Sequence, residues 1–151
     1  MINSTLLPKS QHFSVMLDEV IKICSPDRGG VYIDCTFGGG GYSKKLLKSS
    51  KAKVIALDRD KFILNIAKDL EKKYLNRFSF YEKKFSEINS IASNQSADVI
   101  IFDLGLSSIQ LNNLKRGFSF KSKETLDMSM GLSNISAEKV INNYSEKTLR
   151  L

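Results

Sequence analysis

The stretch VYIDCTFGGGGYS, Val31 to Ser43, decides how this chain is read. Its first half is a short β-branched and aromatic run, which predicts a strand. Four glycines follow, Gly38 to Gly41, where a chain must turn sharply or let another group approach its backbone. Ser43 then opens SKKLLKSS, a short helical pattern. Strand, glycine turn and helix in that order are the opening of an α/β domain that holds a ligand at its first turn.

The pattern continues outward from this unit. Residues 52–58, AKVIALD, predict a second strand that ends in an acid. In KFILNIAKDLEKKYL, 61–75, Ile63, Ile66, Ala67, Leu70 and Tyr74 form one helical stripe. RFSFYE, 77–82, alternates as a third strand, and FSEINSIAS, 85–93, reads as a short helix or turn. ADVIIFDLG, 97–105, predicts a fourth strand whose continuous apolar run suits a sheet covered on both faces. On the N-terminal side, VMLDEVIKIC, 15–24, is a helix stopped by Pro26 and the pair Gly29–Gly30. Strands alternating with helices predict a mostly parallel sheet with right-handed crossovers, and ligands at the strands' C-terminal ends. Asp58 and Asp103 fall at two of those ends, beside the glycine turn at a third.

Beyond residue 105 the chain is polar and turn-rich, with apolar anchors at Leu106, Leu111, Phe118, Phe120, Leu126 and Met128. Long loops of this kind are usually functional, and this one reads as substrate-facing. SAEKVINNY, 136–144, returns to helix, with Ser136 as N-cap. The expected division is therefore 1–105, the N-terminal part of a cofactor-binding domain, and 106–151, a substrate-facing segment that leads into a helical insert. The last residues, SEKTLRL, are amphipathic, without a capping glycine or polar tail. Together with the apolarity of strand four, this gives the expectation that the chain is a piece of a longer protein.

Three ligand classes compete for the glycine turn. A P-loop needs G-x-x-x-x-G-K-[ST], but Lys44 follows Ser43 rather than a glycine. The dinucleotide fingerprint needs a glycine at its sixth place; Gly38 and Gly40 fill the first and third, but Ser43 stands at the sixth. The remaining reading is an S-adenosylmethionine (SAM) turn, which needs close backbone approach and an early acid rather than a pyrophosphate cradle. Asp34 is that acid, placed either to meet the donor's ammonium group or to brace the turn. Asp58 is placed to take both ribose hydroxyls, or to cap the following helix.

The blocks HFSVMLDEVI, YIDCTFGGGGYS, ALDRD, FDLGLSSIQL and RGFSF…LDMSM together resemble the bacterial 16S ribosomal RNA cytosine N4-methyltransferases, of the small-subunit methyltransferase H type. The resemblance covers essentially the whole chain, and the series DLGLSS, RGFSF, LDM is its most specific part. It implies a Rossmann-like SAM-dependent methyltransferase fold, incomplete at four strands. It further implies methylation of the exocyclic amine of one cytosine in the decoding region, with the 16S RNA of the small ribosomal subunit as partner. Donor contacts are implied from Gly40, Gly41 and Tyr42, with Asp58 on the ribose and Phe85 against the adenine. Asp103 and Gln110 are implied near the methionine and adenine ends, and Asp103 is the candidate catalytic acceptor for the amine's protons. Family members are about twice as long, so this chain reads as an N-terminal portion, inactive alone. It departs from the family pattern at Tyr42, usually His, at Ser14 and Ile109, usually Pro, and at Ser129, usually Arg. A binding module without turnover, or an NAD-dependent oxidoreductase, are the alternatives.

Composition adds less. A net charge of +7 favours acidic partners such as RNA, although lysines on solvated helix faces account for most of it. Lys115 and Arg116, beside Phe118 and Phe120, are candidates to meet RNA phosphates and stack bases. Cys24, Cys35 and His12 fit no zinc spacing, so no metal is expected, and both thiols are read as reduced and buried. No run approaches the roughly 18 apolar residues of a membrane span, and no signal-peptide pattern opens the sequence, so a cytoplasmic protein is expected.

Overall fold

The computed structural model of the protein describes residues 14–93, 96–132 and 135–150. His12, which the sequence reading places in a packing role at the start of the domain, lies outside them. Helix α1, Leu17–Cys24, leads into strand β1, Gly30–Asp34, followed by α2, Gly41–Leu46, and β2, Ala52–Asp58. A 3-10 turn at Lys61–Ile63 opens α3, Leu64–Lys73, and β3 is Phe78–Glu82. Another 3-10 turn, Phe85–Ser90, precedes β4, Val99–Ile101. The rest is helical or irregular: α4, Ser108–Asn112, a 3-10 turn at Leu114–Arg116, α5, Ala137–Asn143, and α6, Glu146–Leu149. Among the described residues no helix is long and apolar enough to cross a membrane.

The four strands form one parallel sheet in the order β3-β2-β1-β4. This is the expected α/β, Rossmann-like arrangement, and every expected strand is present. The strand order reverses between β1 and β4, so the crevice at the C-terminal ends of these two strands is where such a sheet binds ligands. The side-chain period of two divides the core. Tyr32, Val54 and Ala56 pack with Leu46, Leu47, Ala67 and Leu70 of the helices on one face. Ile33, Cys35 and Leu57 pack on the other face, against Ile55, Ile88 and Ile91. Both cysteines are buried free thiols, and burial, with the nearby Asp34 carboxylate, pushes the Cys35 thiol up to about 11.

Two expectations shift in detail. The fourth strand is shorter than its apolar run, and it lies at the sheet edge, with Ile100 and Phe102 each about half exposed. Its apolarity therefore does not mark a strand covered on both sides among the described residues. The segment after residue 105 is also more ordered than a plain loop. Ser107 accepts a bond from the Gln110 N–H while the Gln110 side chain accepts from the Ser107 N–H, a reciprocal cap that starts α4. Ser136 caps α5 as its sequence position predicts, accepting from the Lys139 N–H.

Candidate functional site

The first strand delivers the glycine turn to the sheet's crevice, and two acids, Asp34 and Asp58, hold the turn in shape. Asp34, the last residue of β1, is completely buried. One of its oxygens accepts from the Ser43 hydroxyl at 2.7 Å and the other from the Thr36 N–H at 3.3 Å. Of the two roles open to Asp34, the structure places it in the brace. Burial raises its carboxyl from the ordinary 3.8 to about 6, only partly offset by these bonds. Asp58, the last residue of β2, accepts from the Gly38 N–H at 2.7 Å and from the Asp60 N–H at 2.9 Å. Burial also raises the Asp58 carboxyl. Asp60, not Asp58, caps the following turn, accepting from the Phe62 N–H. Across the crevice, the Asp103 N–H donates to the Thr36 hydroxyl at 2.7 Å, which ties the end of β4 to the turn after β1.

These ends enclose a cavity of about 470 Å³. Tyr42, Asp58, Phe85, Asp103 and Gln110 all line it, although they come from four separate stretches of chain. Gly38 lines it too, whereas Gly40 and Gly41 are not among its lining residues. Their lack of a side chain has a packing reason. Gly40 has a φ of +75°, and a Cβ there would stand 2.8 Å from the Phe37 ring. A Cβ on Gly41 would collide with the Ser14 hydroxyl. The Tyr42 hydroxyl donates to the Val15 carbonyl, so Tyr42 joins the start of α2 to the chain entering α1. Burial, with the Asp103 charge second, pushes its phenol up to about 12, so it stays a neutral donor. Phe85 is partly exposed to the cavity, and its ring meets Phe102 edge-on at 5.7 Å.

The turn's amides show which ligands suit it. An anion cradle requires free N–H groups pointing at the ligand. Here the Thr36 and Gly38 N–H groups are taken by Asp34 and Asp58, and the Gly40 N–H by the Phe37 carbonyl. The Lys44 ammonium is bound to the Gly39 carbonyl. Asp58 and Asp103 present carboxylates to the cavity. A turn with these three amides spent, beside two acids that line the cavity, suits a cationic or hydroxyl-bearing ligand better than a pyrophosphate.

The residue the sequence reading missed is Asp60. Its Oδ2 accepts from Arg116 Nη1 at 2.7 Å and from Gln110 Nε2 at 2.9 Å, all three side chains being buried. Arg116 also donates to the Ser129 carbonyl, and its guanidinium lies 4.4 Å from the Phe62 ring centre and 5.1 Å from that of Phe118. Arg116 is therefore spent inside the protein rather than offered to a phosphate, and Phe118 is buried beside it. Lys115 and Phe120 remain exposed. Asp60 had one legible signal, its N-cap position ahead of a helical stripe. Its pairing with a residue 56 positions away had none.

The sequence pattern of the MraW methylase family matches residues 9–151. A protein of Rickettsia akari (strain Hartford), called ribosomal RNA small subunit methyltransferase H, is 42% identical over 138 residues, 91% of this chain and 45% of that protein. Proteins of the same name from Rickettsia africae (strain ESF-5) and Rickettsia bellii (strain OSU 85-389) are each 44% identical over the same shares. The chain thus spans a little under half the length of the curated relatives it matches.

Proposed function

The chain belongs to the MraW methylase family, and on that premise we propose that it is the donor-binding portion of a SAM-dependent methyltransferase. The proposed acceptor is the exocyclic N4 amine of a cytosine in the decoding region of 16S RNA, within the small ribosomal subunit. The observation that carries the reading is the convergence of Gly38, Asp58, Phe85 and Asp103 on one cavity at the switch point of the sheet. On this reading residues 1–105 hold the donor and 106–151 face the RNA, and the protein works in the cytoplasm.

The residues fit the donor by chemistry. Asp58 is held by two backbone bonds and keeps lone pairs for a ribose diol. Phe85 offers a half-exposed ring to an adenine, and Asp103 a carboxylate to an ammonium or amine. Tyr42 and Gly40–Gly41 set the turn's course around it. When bound, SAM supplies an electrophilic methyl group on a sulfonium. The protein's own task is alignment, because an in-line displacement depends on holding the amine nitrogen on the methyl's axis. Cytosine N4 is a weak nucleophile, its lone pair delocalised into the ring. Asp103, with the carbonyls of Leu104 and Gly105, stands at the cavity wall where an acceptor for the N4 protons is needed. The base must leave its stack to reach this cavity.

Isothermal titration of the chain with SAM, S-adenosylhomocysteine and NAD tests the reading. Binding of the first two without NAD supports it. Binding of NAD alone would replace it with the oxidoreductase alternative.

A further inference from the structure

A second cavity, of about 440 Å³, lies behind the first. The two are back to back. Met130 lines the first, while its neighbours Ser129 and Gly131 line the second. Gln110 lines the first and Arg116 the second, and both hold the same oxygen of Asp60. The partition between the cavities is thus a buried ion pair and one strand of backbone.

The chemistry of the second cavity differs from that of the first. Lys61 and Lys115 reach it from two separate segments, are both exposed, and carry no ion pair among the described residues. Among the described residues, Asp127 is the one carboxylate that lines it, and it already accepts from the Ser129 hydroxyl. Phe62 is 52% exposed, with the Arg116 guanidinium on its ring, and Asn113 adds an amide. Two unpaired ammonium groups, a flat ring and an amide are what a single-stranded nucleic acid requires: charge for the phosphates, a platform for a base, and an edge to hydrogen-bond it.

We propose that this second cavity binds a nucleotide of the single-stranded RNA flanking the acceptor base, with its phosphates on Lys61 and Lys115 and its base against Phe62. The inference rests on the methyltransferase reading for the identity of the RNA, and it adds a site to that reading. The shared partition sets the neighbouring nucleotide beside the donor cavity, so that one contact positions the strand while the acceptor base turns inward.

The test is fluorescence anisotropy of the full chain with a short fluorescein-labelled single-stranded RNA containing one cytosine, titrated over a range of salt. Replacing both lysines, Lys61→Ala with Lys115→Ala, is expected to weaken binding at least about tenfold and to flatten the salt slope by about 1.4, the value for two lost single-strand phosphate contacts. A matched pair on α3, Lys68→Ala with Lys72→Ala, controls for general basicity and is expected to leave both quantities nearly unchanged. Phe62→Leu is expected to weaken RNA binding without altering the salt slope. Equal effects from the two lysine pairs, or none from either, would overturn the proposal. Binding to polyglutamate as tight as to RNA would also overturn it, in favour of an acidic peptide. The titration is run with and without SAM. Failure of SAM to bind removes the methyl-transfer reading, while the lysine comparison still decides this one.

Discussion

The sheet and the segment that follows it are built on different principles. From β1 to β4 the chain is held by parallel ladders and two apolar clusters, with Tyr32, Ile33, Leu46, Leu57 and Ile63 essentially inaccessible. From residue 104 to 150 the described chain buries only a few side chains, among them Gln110, Arg116 and Phe118, while α5 and α6 bury none. What fastens this segment to the sheet is chiefly polar: Asp60, reaching out from the end of β2, to Gln110 and Arg116. Hydrophobic burial is spread over many contacts and survives the loss of one. A single buried ion pair concentrates the attachment in two residues, because removing either leaves the other's charge uncompensated.

The largest expected effect follows from that concentration. Arg116→Ala should destabilise the protein by about 3–5 kcal/mol in urea unfolding. Hydrogen exchange should rise first at residues 104–131, while the amides of β1 and β2 stay protected. Asp60→Ala combined with Arg116→Ala should cost much less than the sum of the two single changes. Uniform exchange across both regions would break the comparison.

The next effect belongs to the sheet side. Asp34 titrates at about 6 in the fold and near 3.8 as an ordinary acid. Its folded value is raised, so its contribution is fully present below pH 3.8 and is lost as pH rises through about 6. That gap corresponds to about 3 kcal/mol. Asp34→Asn keeps an acceptor for the Thr36 N–H and a partner for the Ser43 hydroxyl, and should remove this fall from the stability–pH curve. A curve that still falls by the same amount would show that Asp34 is not its source.

Smaller effects sharpen the contrast locally. Asp58→Ala should weaken SAM binding at least about tenfold, roughly 1.4 kcal/mol, in titration calorimetry. It removes both a candidate ribose contact and the partner of the Gly38 N–H. An unchanged affinity would take Asp58 out of the site. Ser107→Ala, which removes the cap of α4, should cost about 1 kcal/mol in thermal unfolding. A change near zero would mean that α4 is held by Gln110 on Asp60 rather than by its own cap.

The difference between the regions also explains how much was legible beforehand. β2 matches its expected limits of 52–58, and β1 and β3 each lie within a residue of theirs, because apolar runs bounded by turn residues are local signals. Of the five cavity-lining side chains expected from the resemblance, Asp58 and Asp103 stand at or just beyond strand ends, positions that the strand pattern itself marks, whereas Tyr42, Phe85 and Gln110 rest on the resemblance alone. The roles of Gly40 and Gly41 were not legible, since a glycine needed for close packing on Phe37 or Ser14 looks the same in sequence as one needed by a ligand. Arg116 misled for a related reason. A basic residue beside aromatics suits an RNA contact and a buried ion pair equally well, and only its partner, 56 residues away, distinguishes them.

By itself the sequence determined the α/β alternation, the parallel sheet and the glycine turn, because periodicity, turn chemistry and strand composition act over a few residues. Tertiary structure alone decided that Asp34 braces the turn instead of facing a ligand, and that Arg116 serves Asp60. Both outcomes depend on desolvation and on partners brought together by the sheet, and neither burial nor a long-range ion pair is encoded in any single stretch of chain.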